Sequence, residues 1–163
     1  IGAQKGFPDR LVLCITSEGS FQMNLQELVT CAEQKLAVKI VLLNNGVHGM
    51  VRQWQDLFYE GRYSASLLGK MPDFVKLADA YGIKGLRAVK PSEVEPVLKE
   101  GLKHKGPVLM DLHTDPYENC YPMIPAGGAQ HEMMLEDPPE LSRGKKGGAQ
   151  KRKVDEGEGV LPA

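Results

Sequence analysis

An excess of charge of either sign is absent: the 163 residues carry 20 Lys and Arg against 21 Asp and Glu, a formal net charge of −1. Nucleic-acid binding leans on many Lys and Arg contacts, so no partner of that kind is implied. Long apolar runs are missing too. None approaches the roughly twenty residues that span a bilayer, and the N-terminus carries no signal-like pattern, so a soluble chain with no membrane partner is expected. Cysteine is scarce, at three residues. Cys14, Cys31 and Cys120 are odd in number and show no Cys-x-x-Cys spacing, which disfavours a disulfide framework and a zinc site and fits a reducing compartment. His104, His113 and His131 share no ligand spacing and receive no role.

What is present is apolar periodicity that alternates between two repeats. With 42% apolar residues the chain can bury one core. The run Leu11-Val-Leu-Cys-Ile15 reads as a buried strand. Asn24-Leu-Gln-Glu27 offers an N-cap with Glu three residues on, and opens a helix to about residue 35. Residues 38 to 43 are apolar at nearly every position, as in a parallel strand covered on both faces. Helices follow over 50–59 and 72–81, the latter with Phe74, Leu77, Ala78 and Tyr81 inward and Gly82 as its stop. Strands at 83–89 and 108–113 flank a helix opened by the capping-box pattern Ser92-Glu-Val-Glu95 and ending near His104. Such alternation predicts an α/β fold, a mostly parallel sheet with helices on both faces. Residues 1–141 form one domain in this reading. From Ser142 the composition turns to Gly, Lys, Arg, Glu and Pro without periodicity, so 142–163 reads as a disordered tail whose basic runs are solvated.

Two strand ends carry chemistry. The first runs into Ser17-Glu18-Gly19-Ser20, a carboxylate and a glycine where a helix begins; the second ends in Asn44-Asn45-Gly46, a polar turn. Mg2+ takes oxygen ligands in a near-octahedral shell, usually one or two side chains plus phosphates and waters. Glu18 and Asn45 supply two such oxygens. A helix that starts after Glu18 aims free N–H groups at a phosphate, and Gly19 and Ser20 let it come close. Ligands in parallel sheets bind at the carboxyl ends of strands, where both turns fall. On these residues alone an ordinary pair of loops stays open.

The downstream string narrows the choice. Gly19-Ser-Phe-Gln-Met23, Gln26-Glu-Leu28, Asn44-Asn-Gly46, Gly49-Met-Val-Arg-Gln-Trp-Gln55, Leu57-Phe-Tyr59, Arg62-Tyr-Ser64, Pro72-Asp-Phe-Val-Lys-Leu-Ala78 and Tyr121-Pro-Met-Ile-Pro-Ala-Gly127 resemble the acetolactate synthase catalytic subunit, from residue 1 to about 136. The Gly-Asp-Gly to Asn-Asn spacing of thiamine-diphosphate enzymes is met with one departure: Glu18 stands where the pattern has aspartate. The extra methylene adds roughly 1.3 Å of reach to a shell that expects oxygens near 2.0 to 2.1 Å, which predicts weakened metal and cofactor binding. Ile1-Gly-Ala-Gln-Lys-Gly-Phe-Pro-Asp9 resembles the interior of the family protein, so an N-terminally truncated C-terminal piece is expected.

The resemblance implies a thiamine-diphosphate-binding fold of the diphosphate type. It implies thiamine diphosphate and Mg2+ as cofactors. FAD, in the full-length protein, would be held mainly by a preceding domain. The implied metal ligands are Glu18, Asn45 and the carbonyl of Val47. Gly19, Ser20, Met23, Asn45, Gly49 and Met50 would contact the cofactor. Trp54 would line the substrate and inhibitor channel, with a core position as its other reading, and His48 falls at a variable position beside the cofactor, where a plain loop histidine is the other reading. The implied reaction condenses two pyruvates, or pyruvate with 2-ketobutyrate, with loss of carbon dioxide, in branched-chain amino acid biosynthesis. The activating glutamate belongs to an absent N-terminal domain, so this chain carries no catalytic residue of its own and is expected to be inactive alone. A homodimer or homotetramer, a small regulatory subunit, and a cytoplasmic location in bacteria (plastid or mitochondrion in eukaryotes) follow from the family. Another thiamine-diphosphate carboligase or decarboxylase, or a non-catalytic domain that kept the fold, are the other readings.

Overall fold

The computed structural model describes residues 1–139. Four strands, β1 (Leu13–Ser17), β2 (Lys39–Asn44), β3 (Lys84–Ala88) and β4 (Val108–His113), form one sheet in the order β1-β2-β4-β3. Every pairing is parallel. The helices are α1 (Gly2–Gly6), α2 (Glu18–Gln22), α3 (Leu28–Glu33), α4 (Gly49–Phe58), α5 (Phe74–Ala80) and α6 (Pro91–Lys103). The α/β reading holds, and the tail from residue 142 lies outside the described residues.

Alternation along the strands sends side chains to two cores. On one face Ile40, Leu42 and Leu109 meet Phe21 of α2, Leu28 and Cys31 of α3, and Phe74 and Ala78 of α5. Phe21 and Phe74 meet edge to face with centroids 5.9 Å apart. Burying a ring such as Phe74 contributes about 1.5–3 kcal/mol. On the other face Val108, Met110, Leu112 and Ala88 pack under Val94, Val97 and Leu98 of α6. Gly101 of α6 has a packing reason: a Cβ there would collide with the Met110 sulfur. Burial also pushes the Cys31 thiol pKa up.

Three local expectations are corrected. Leu11–Ile15 was expected buried, yet the strand starts at Leu13, and Leu13 and Ile15 are 48% and 68% exposed. By register they share a face with Lys39 and Val41. The α6 layer covers β3 and β4 and reaches Val41, while β1 is the sheet edge. Asn24 makes no side-chain cap, because the chain is already winding: a 3-10 turn, Leu25–Glu27, precedes α3, and Glu27 N–H bonds the Asn24 carbonyl at 3.1 Å. The capping box at residues 92–95 shifts upstream. Pro91, which has no N–H to satisfy, takes the first helical position, and the Glu93 carboxylate accepts from Val89 and Lys90 N–H at 2.9 and 3.0 Å.

Lys39 interrupts the apolar run of β2 without breaking it. Its buried ammonium donates to the carbonyls of His104 and Gly106, the latter at 2.8 Å, and so ties β2 to the loop before β4. Burial lowers its pKa. The pKa of His104 is lowered as well, by burial first and then by Lys39 and Lys84.

The chain divides into two compact units after Glu118. In the second, Met123 and Met134 pair as an antiparallel bridge through two backbone bonds of 2.9 and 2.8 Å. Asn119 and Tyr121 both donate to Asp137 at 2.8 Å. Among the described residues no helix is long and apolar enough to cross a membrane.

Candidate cofactor and metal site at the strand ends

The site starts where β1 passes into α2 with no intervening loop. Ser17 is extended (φ −105°, ψ 166°) and Glu18 is the first helical residue. Its side chain is fully buried, and neither carboxylate oxygen has a hydrogen-bond partner. A buried carboxylate is ordinarily paired, hydrogen-bonded or coordinated to a metal, since burying a lone charge is costly. Glu18 is neither paired nor bonded. The donor chemistry therefore fits a hard cation.

The second strand end supplies the complement. Gly46 takes φ +70°, a left-handed conformation suited to glycine, and turns the chain after Asn45. The Asn45 side-chain oxygen accepts from Val47 N–H at 3.1 Å, which fixes the amide and leaves that oxygen a second lone pair. A neighbouring strap holds the turn: His48 N–H donates to the Ser66 carbonyl at 2.8 Å and Leu68 N–H to that of Gly46 at 2.9 Å. Buried Val47 bridges to Leu67. The two strand ends touch. A Cβ on Gly19 would stand 3.2 and 3.3 Å from His48 Cε1 and Nδ1, and one on Gly49 would stand 3.4 Å from the Asn45 amide nitrogen. Gly19 thus lets the His48 ring pack close to the backbone of α2, and Gly49 leaves ordinary contact distance to the Asn45 amide.

The other expected residues spread outward from this centre. Ser20, in the first turn of α2, accepts from the Ser17 hydroxyl at 3.3 Å. Met50, in the first turn of α4, is 52% exposed, and Met23, the α2 C-cap, is 70% exposed. Met23 lies five positions beyond Glu18, about 7 Å along a helix axis. Trp54 is 36% exposed and stacks edge to face on Phe58 at 5.2 Å, so the core position is excluded. The helix α4 is inside out. Met50, Val51, Trp54 and Phe58 face outward, while Arg52, Gln53 and Asp56 are buried. Arg52 and Asp56 form an ion pair, the Tyr63 hydroxyl donates to Asp56, and Arg52 donates to the Glu118 carbonyl at 3.3 Å.

A second carboxylate at the strand ends escapes sequence reasoning. Asp111 of β4 is fully buried and well partnered: it accepts from the Asn44 amide and from Arg87 Nε, each at 3.0 Å, and His113 Nε2 lies 3.5 Å away. Arg87 also donates to Asp73 at 2.6 Å. That bond holds the Asp73 pKa below the usual carboxylate range, helped by the N–H groups of Lys76 and Val75 that Asp73 caps, and Asp73 in turn raises that of Arg87. These groups line a cavity of about 500 Å³ that also touches Asn45 and Gly46. The only sequence signal was a lone carboxylate inside the apolar run Val108–His113.

Comparison with known proteins fits this geometry. Residues 1–112 match the family described as thiamine pyrophosphate enzyme, C-terminal TPP binding domain. The chain is 47% identical over 135 residues to an acetolactate synthase large subunit of Porphyra purpurea, covering 82% of this chain and 23% of that protein. It is 45% identical over 134 residues to the acetolactate synthase isozyme 2 large subunit of Escherichia coli (strain K12), covering 82% of this chain and 24% of the relative. The Haemophilus influenzae large subunit is 43% identical over 141 residues, with 86% and 25% covered. The chain thus spans about a quarter of the length of these relatives. A solved structure, the thiamine diphosphate-dependent 4-hydroxybenzoylformate decarboxylase of Rhodococcus jostii RHA1, superposes with a TM-score of 0.65 at 30% identity, over 71% of this chain and 22% of that one. Glycine-containing strand ends, a buried carboxylate without a hydrogen-bond partner and a family match over both turns agree: the chain belongs to the thiamine pyrophosphate enzymes, in their C-terminal TPP-binding domain family.

Proposed function

We propose that this chain is the diphosphate- and Mg2+-binding portion of an acetolactate synthase catalytic subunit. The observation that carries the reading is the partnerless, fully buried carboxylate of Glu18, beside the glycine that meets the Asn45–Gly49 turn. Glu18, Asn45 and the Val47 carbonyl would hold Mg2+. The backbone at Gly19, Ser20, Gly49 and Met50 would take the diphosphate, with Met23 and Asn45 alongside. Bound thiamine diphosphate supplies the decarboxylating and carbon-joining chemistry, while the protein binds and orients.

The substrates in this reading are pyruvate and 2-ketobutyrate, condensed with loss of carbon dioxide for branched-chain amino acid biosynthesis. The outward ring of Trp54 offers an apolar wall to the 2-ketoacid side chain. The activating glutamate, FAD and the regulatory subunit belong to the rest of the assembly, a homodimer or homotetramer. Titration of thiamine diphosphate into the chain by calorimetry, with and without Mg2+, tests the reading. Binding is expected only with Mg2+, and Glu18→Ala and Asn45→Ala should each weaken it roughly tenfold or more, as loss of a metal ligand does. Glu18→Asp should bind more tightly than the natural chain. Metal-independent binding, unmoved by either alanine, would overturn the assignment; equal affinity of the aspartate variant would overturn only the length argument.

A further inference from the structure

The turn that carries Asn45 is not held by its own residues alone. Leu67 faces Val47 in an antiparallel bridge, closed on one side by His48 N–H on the Ser66 carbonyl at 2.8 Å and on the other by Leu68 N–H on the Gly46 carbonyl at 2.9 Å. In such a pair the bonds belong to the flanking residues, so the N–H and C=O of the central residue point away from the partner strand. Val47 obeys this. Its N–H goes to the Asn45 side-chain oxygen at 3.1 Å, and among the described residues no backbone N–H takes its carbonyl. The strap therefore decides where that carbonyl points.

One side chain of α4 holds the strap in turn. Gln55 Oε1 accepts from the Ser66 hydroxyl at 2.6 Å and from Ser64 N–H at 3.4 Å, while its Nε2 donates to the Ser64 carbonyl at 3.0 Å. These bonds bracket Ala65, which takes φ +52°. Left-handed backbone is costly for a residue with a Cβ and persists where its surroundings impose it. Ser66 is fully buried, so a hydroxyl deprived of Gln55 finds no replacement partner in solvent.

We propose that Gln55 and Ser66 are positioning residues for the cation: they lock the strap of residues 64–68, and the strap sets the Val47 carbonyl and, through Val47 N–H, the Asn45 oxygen. This rests on the cation assignment of the preceding section. Neither side chain is a ligand in that assignment, and both act through the backbone of the turn. Mg2+ demands near-ideal octahedral geometry, so a carbonyl displaced by a slackened strap is a poorer ligand even when the rest of the fold is intact. Gln55 directly follows Trp54, so the helix that carries the outward ring also grips the metal turn.

The test pairs amide hydrogen exchange of the metal-free 163-residue chain with calorimetry of Mg2+ and thiamine diphosphate. Gln55→Ala and Ser66→Ala should each speed exchange at the His48 and Leu68 amides and weaken Mg2+ roughly tenfold, the scale of losing an outer partner of a metal ligand. Thiamine diphosphate affinity should return to within about twofold of the natural value once Mg2+ is saturating, because mass action refills a weakened cation site. Gln55→Glu keeps an oxygen for the Ser66 hydroxyl and the Ser64 N–H, and should stay within about threefold of the natural chain. Circular dichroism confirms the fold of each variant. Faster exchange with unchanged Mg2+ affinity would reduce the strap to a structural device and overturn the proposal. A loss that saturating Mg2+ does not recover, or a glutamate variant no better than alanine, would overturn it as well. Cofactor binding by the natural chain without any metal would overturn the cation assignment, and this inference with it.

Discussion

Glu18 and Asp111 are both carboxylates at full burial, both near the carboxyl ends of strands of one parallel sheet, and they are opposites in every other respect. Asp111 has the Asn44 amide, the Arg87 guanidinium and the edge of His113 around it. Glu18 has no hydrogen-bond partner. The difference separates a group that the fold uses from one that the fold carries at its own expense. A satisfied buried carboxylate needs nothing further; an unsatisfied one is the group on which the proposed cation reading rests.

That contrast can be broken from either side. Asp111→Ala removes the acceptor of a guanidinium and an amide at once, and should cost about 3–5 kcal/mol in urea unfolding, the scale of breaking a buried pair. Glu18→Gln should do the reverse in the metal-free chain: unfolding free energy rises by about 1–3 kcal/mol, because a neutral amide is less costly to bury than a lone charge. A loss of stability there would mean that Glu18 is as structural as Asp111. Asn44→Ala should cost about 1 kcal/mol, one hydrogen bond, while the turn stays laced by Thr114 N–H on the Asn44 carbonyl at 2.9 Å. The smallest effect is acid titration of Asp73. Its lowered folded-state pKa contributes stability that is complete above the ordinary carboxylate range and is lost as pH falls through the folded value, so the start of α5 should loosen only in strong acid, and Asp73→Asn should flatten that part of the profile followed by amide exchange.

The sheet was legible because its signal is periodic: Val108–His113 was read residue for residue, and β2 differs by one position at each end. The Phe74, Ala78 and Gly82 pattern of α5 was legible for the same reason, with Gly82 at φ +69° as the stop. The strand-end turns were legible through residue type and spacing. What escaped was whatever depended on neighbours distant in sequence. Asp111 meets Asn44 and Arg87 only after β2, β3 and β4 pair, and no local pattern announces that. The burial of β1 failed likewise, since an apolar run reports what a strand prefers, not whether a layer exists to cover it. Trp54 and its neighbours on α4 posed the same ambiguity, because an apolar stripe at helical spacing marks an inner face or a binding face equally well, and the buried Arg52–Asp56 pair shows only that it is not the inner face.

The bare face of β1 bears on how this molecule behaves in a tube. Among the described residues β1 is an edge strand with one unpaired row of N–H and C=O groups, and with Leu13 and Ile15 exposed on it such an edge is a template on which another extended segment can grow. Edge-to-edge association is therefore expected to grow with concentration, and where it occurs it would distort apparent affinities. A lysine placed at Ile15 would act as a gatekeeper and lengthen the shelf life of the chain without touching either strand-end turn.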